Sequence, residues 1–124
     1  MKSFKCGFIE VMDHDYYKNQ RQRGSIHMNW NDYIHNGWDP FLKSLKEDGW
    51  RAPYIQEIKY LYSLHLMNIG AFSYELPPYS YYITEPYRRT TWNDKCSFFD
   101  FHNGRLSNDV SDKSLGHLRL VRNI

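Results

Sequence analysis

Cysteine is scarce in this chain: there are two, Cys6 and Cys96, far apart in sequence. Their separation excludes a CxxC redox or zinc pattern, and no disulfide framework stands in for a core. Long apolar runs are missing too. No stretch reaches the length of a membrane span, and Met1-Lys2-Ser3-Phe4-Lys5-Cys6 lacks the sustained apolar segment of a secretory signal. The chain as written is therefore expected to stay in the cytoplasm, with both thiols reduced and buried. An excess of one charge is also lacking. Sixteen Lys and Arg against fourteen Asp and Glu leave a net charge of +2, and the basic residues are scattered, so neither a nucleic acid nor a membrane is an expected partner. Gly24, Gly37, Gly49 and Gly104 stand isolated, which leaves no phosphate loop and no nucleophile elbow.

What is abundant is aromatic. Eleven Tyr, seven Phe and four Trp make 18% of the 124 residues. A chain of this length forms one domain able to close a core, and with few Val and Ala that core has to be filled with rings. Lys5 to Met12 reads as a first strand and Asp13 to Ser25 as a polar surface loop. Asn29 caps a short helix with Trp30, Tyr33 and Ile34 on one face. Asp39-Pro40 opens a second helix that turns Phe41, Leu42 and Leu45 inward and Lys43, Lys46 and Glu47 to water. The third helix begins at Pro53 and carries an apolar stripe of Ile55, Ile58, Leu61 and Tyr62. Tyr79 to Thr84 and Ser97 to Phe101 have strand composition, His102-Asn103-Gly104 is a hairpin turn, and His117 to Arg122 is a last strand with Leu118 and Leu120 on one face. Strand, helices, then strands argue for an α+β fold with antiparallel sheets.

The motifs follow a recognisable order: Met28-Asn29-Trp30, Gly49-Trp50-Arg51-Ala52-Pro53 with Glu57-Ile58 and Leu61-Tyr62, Ile69-Gly70-Ala71-Phe72, Tyr81-Tyr82-Ile83-Thr84-Glu85, Phe101-His102-Asn103-Gly104 and Leu118-Arg119-Leu120-Val121-Arg122. From Met28 to Arg122 the chain resembles the C-type-lectin-like domains found at the C-terminus of bacterial collagen-like adhesins and in short phage and bacterial proteins. That group is similar in fold to formylglycine-generating enzymes and to the variable proteins of diversity-generating retroelements. The resemblance implies two or three helices packed on antiparallel strands, with the N- and C-terminal strands adjacent, and a phage or mobile-element source, carried on a phage particle, is compatible with it. Three departures stand out. Tyr54 replaces a capping Thr, Tyr82-Ile83 replaces Trp-Ser, and Cys96-Ser97 replaces Ala-Trp before the last hairpin.

Candidate chemistry is thin. Trp50-Arg51-Ala52-Pro53 with Glu57 reads as a structural joint in which Arg51 pairs with Glu57. The formylglycine-type enzymes need a cysteine-based copper site in their C-terminal part, where this chain has only Cys96. Asp13-His14-Asp15 holds ligand types, but adjacent residues of an extended chain point to opposite faces, and the six histidines read as solvated loop residues; no metal or cofactor is expected. Tyr79 to Asp94 differs in kind, mixing aromatics with arginine and amide groups as interface hot spots do. Tyr79, Tyr82, Glu85, Tyr87, Arg88, Arg89, Trp92 and Asn93 are the expected contact residues, for a protein or carbohydrate ligand. The chain reads as a binding module and not an enzyme. A formylglycine-generating-like oxidoreductase, and an intracellular inhibitor or structural phage protein, are the alternatives.

Overall fold

The computed structural model describes residues 2–17, 27–35, 39–76, 79–85, 97–107 and 115–124. Its elements are β1 (Ser3–Cys6), β2 (Ile9–Met12), α1 (Trp30–Ile34), α2 (Pro40–Glu47), α3 (Ile55–Leu66), β3 (Tyr81–Thr84), β4 (Ser97–Asp100), β5 (Arg105–Ser107) and β6 (Val121–Asn123). The strands form two antiparallel three-stranded sheets, β1-β2-β6 and β3-β4-β5. The expected α+β class is met, and the first and last parts of the chain pair as expected, Val11 opposite Val121.

The first strand is in fact a hairpin. Cys6 pairs with Ile9, and Gly7 at φ +62° with Phe8 makes the two-residue turn. Glycine at the first turn position and an ordinary φ at the second is the arrangement a tight hairpin favours. Phe8 at the tip is 94% exposed. Cys6 is a free thiol and only half-buried, whereas Cys96 lies outside the described residues.

The helices start for local reasons. The Asn29 side chain accepts the Asp32 N–H at 2.7 Å, and the Asp39 carboxylate accepts the Phe41 N–H at 3.0 Å with Pro40 at the first helical position. Helix α3 begins at Ile55 rather than Pro53, because Tyr54 is its cap residue. Glu57 supplies the missing cap by accepting the Tyr54 N–H at 2.8 Å while forming a two-point pair with Arg51 at 2.7 and 3.0 Å. Lys46 does not simply face water; its ammonium lies 3.9 Å from the centre of the Tyr33 ring and donates to the Tyr33 carbonyl.

The core has two lobes. One gathers Trp30, Tyr33, Leu42, Leu45, Trp50, Ile83, Phe98, Leu118 and Leu120, and the other gathers Val11, Ile58, Leu61, Phe72, Tyr82, Phe99, Phe101 and Val121. Between them runs 116–121. Leu118 O accepts from Tyr16 N, Leu120 O from Met12 N, and His117 O from Ile83 N, while Val121 exchanges both backbone bonds with Arg51. The expected last strand with one apolar face is therefore a connector buried on both sides, with only 121–123 in regular pairing. Since every residue from 116 to 121 is buried, Arg119 cannot reach water and needs a partner inside.

Candidate functional site

That partner is Asp15, at the far end of the chain. Sequence pattern places Asp15 and Tyr16 in a surface loop, yet both are buried. The Arg119 Nε–H donates to Asp15 Oδ1 at 3.0 Å, and its other nitrogens donate to the carbonyls of Met12 at 3.1 Å, Ala71 at 3.0 Å and Gly70. Its guanidinium also lies 4.1 Å from the centre of the Phe72 ring. Gly70 at φ +100° and Ala71 at φ +52° take left-handed backbone, which is costly for alanine. The guanidinium grips the carbonyls of both, holding the strained turn in place.

Tyr82 joins the same cluster. Its hydroxyl donates to the Asp15 carboxylate at 2.8 Å and accepts the Ser73 N–H at 2.8 Å. Burial raises its phenol pKa far above the usual tyrosine value, and the Asp15 charge raises it further. Tyr82 was expected among the contact residues. It has no exposed surface and is a core residue whose polar end completes a buried network.

His117 links this network to the surface. Its Nδ1 is 3.7 Å from Asp15 Oδ2 and its Nε2 is 2.8 Å from the Tyr79 carbonyl. A carbonyl can only accept, so that nitrogen carries a hydrogen. His27 Nε2 lies 3.0 Å from the same nitrogen and is thus the acceptor of the pair. Burial lowers the His27 pKa, and the neighbouring His117 lowers it further. Neither ring is a solvated loop histidine.

Tyr79 keeps 55% of its surface exposed while its carbonyl is held from below. Glu85 is half-buried; its carboxylate accepts from the Tyr33 hydroxyl at 2.8 Å and its N–H donates to the Pro53 carbonyl at 2.8 Å. Thr84 pairs with Ser97 across β3 and β4, and the Thr84 hydroxyl donates to the Ser97 carbonyl. The stretch 86–96 thus leaves and returns at two fixed neighbouring points. Tyr87, Arg88, Arg89, Trp92 and Asn93 lie outside the described residues. Of the expected contact set, the structure brings Tyr79 to the surface, Glu85 to a half-buried joint and Tyr82 to the core.

Among the described residues no group of three or more His, Cys, Asp or Glu is arranged to hold a metal ion, and no helix is long and apolar enough to cross a membrane. Comparison with protein-family models, with curated proteins and with solved structures gives no match.

Proposed function

We propose that the chain is a C-type-lectin-like binding module that presents Tyr79, Glu85, Tyr87, Arg88, Arg89, Trp92 and Asn93 to a protein or glycan. The observation that carries this reading is the pairing of opposites within one short stretch. Tyr79 is exposed, while Ser80, Tyr82 and Thr84 beside it are buried and hydrogen-bonded. A contact residue fixed by a rigid foundation loses little freedom on binding, which is how a small surface reaches useful affinity. The composition of Tyr87, Arg88, Arg89, Trp92 and Asn93 is that of interface hot spots. The adjacent terminal strands, the three helices and the second sheet at the root of the stretch support the lectin-like assignment.

A glycan array and affinity capture from the cells that make the protein test the reading together. Retention of a glycan or of one protein at stoichiometric level is expected. No retention by either route contradicts it, and stoichiometric copper or iron in the purified protein redirects the assignment to an oxidoreductase.

A further inference from the structure

A separate cavity of about 340 Å³ opens beside β2 and α2, lined by Lys2, Met12, Asp13, His14, Tyr16, Tyr17, Phe41, Leu45 and Leu120. Of the expected contact residues, the described ones, Tyr79, Tyr82 and Glu85, do not line it. Its floor is carbon: Met12, Leu45 and Leu120 are buried, and the Tyr16 and Phe41 rings lie nearly parallel, 19° apart. The Tyr16 hydroxyl is engaged with the Asp39 carboxylate, so the ring, and not its polar end, is what the cavity offers.

The mouth is polar: Lys2 and Asp13 both stand there, on facing segments joined by the Asp13 N–H donating to the Lys2 carbonyl at 3.1 Å. Asp13 Oδ1 accepts from His14 Nδ1 at 2.7 Å, and the Tyr17 ring stacks on that imidazole at 5.0 Å. His14 Nδ1 therefore carries a hydrogen, and Asp13 Oδ1 is engaged by it. Lys2 makes no ion pair among the described residues. An aromatic floor, a volume near the lower end of the ~300–1,000 Å³ range of ligand pockets and a spare cation at the rim define one class of ligand.

We propose that this cavity binds a small planar aromatic carboxylate, its ring on Met12, Tyr16, Phe41 and Leu45 and its carboxylate at Lys2. An oligosaccharide does not match an apolar floor of this size, and an aromatic amine meets at the rim the like charge of Lys2 and an Asp13 carboxylate already hydrogen-bonded to His14.

The test is an NMR titration of the isotopically labelled protein with indole-3-acetate and, separately, tryptamine, which carries a similar ring with the opposite charge. Indole-3-acetate at millimolar concentration is expected to shift amides in 13–17 and 41–45, with tryptamine at least about tenfold weaker. Lys2 is exposed, so Lys2→Glu leaves the melting point unchanged and weakens indole-3-acetate by at least about tenfold. The proposal is overturned by absence of shifts, by shifts confined to other residues, by equal binding of the two probes, or by a Lys2→Glu variant that binds as the parent does. Because the cavity shares no described residue with the proposed contact surface, and the shifts are read at 13–17 and 41–45, these outcomes leave the reading of that surface untouched.

Discussion

Asp15 and Arg119 meet across almost the whole length of the chain, and neither can reach bulk water. Removing one charge leaves the other buried without its counter-ion, a loss of about 3–5 kcal/mol. Asp15→Asn is therefore expected to lower the unfolding free energy by that amount in a denaturant titration, and a change under about 1 kcal/mol would show the pair to be dispensable. Nothing in the sequence marks this pair. Asp15 stands in a polar run and Arg119 alternates with Leu118 and Leu120, the pattern of a strand with one wet face, so only burial of the segment on both sides reveals the ion pair. Trp50 was legible: it follows a helix-ending glycine, and its ring is buried beneath the Arg122 guanidinium. Trp50→Ala is expected to cost about 3–5 kcal/mol, and a variant that melts like the parent contradicts the core assignment. The histidines add a pH dependence. His27 and His65 are both shifted below 6.5 by burial, so the unfolded chain takes up protons that the folded chain resists. Their neutral forms favour folding above about pH 6.5, and that contribution fades as the pH falls through and below that value. The melting point should drop between about pH 7.5 and about pH 5.5, and replacing both with Gln should flatten the slope over that window.

At the scale of elements, helices declare themselves more fully than sheets. Asn29, Asp39-Pro40 and the Ile58-Leu61 stripe carry their own caps and faces, so α1, α2 and α3 are readable within a residue or two. The exception is the start of α3, where Glu57 caps from inside the helix while also holding Arg51. The β1–β2 hairpin is hidden because Cys6-Gly7-Phe8-Ile9 reads as continuous apolar sequence, and only the positive φ of Gly7 breaks it. Two glycines separate conformational strain from crowding. A Cβ at Gly7 meets nothing within 4 Å, whereas one at Gly104 falls 2.6 Å from the Tyr62 ring, and both residues have positive φ. Gly7→Ala is expected to cost about 1–2 kcal/mol from backbone alone. Gly104→Ala should cost measurably more, and equal losses in thermal unfolding would mean that the Tyr62 ring yields freely.

The molecule as a whole hangs on its last eight residues, which stitch 12–16, 51 and 81–83 together and supply Arg119. Truncation after Gly116 should abolish cooperative unfolding, and a sharp transition in the truncated chain contradicts this role. That the ends come together was legible from the resemblance, since local pattern says nothing about which strands pair over such a distance. The central claim is that one stretch separates into foundation and contact surface, and the most direct measurement is calorimetric titration of the captured partner into two variants. Tyr79→Ala combined with Arg88→Ala, Arg89→Ala and Trp92→Ala should keep the parent melting point and lose at least about 2 kcal/mol of binding free energy. Tyr82→Phe should do the reverse, lowering the melting point through the loss of the hydroxyl between Asp15 and Ser73 while leaving the affinity unchanged. Unchanged affinity in the four-residue variant contradicts the claim.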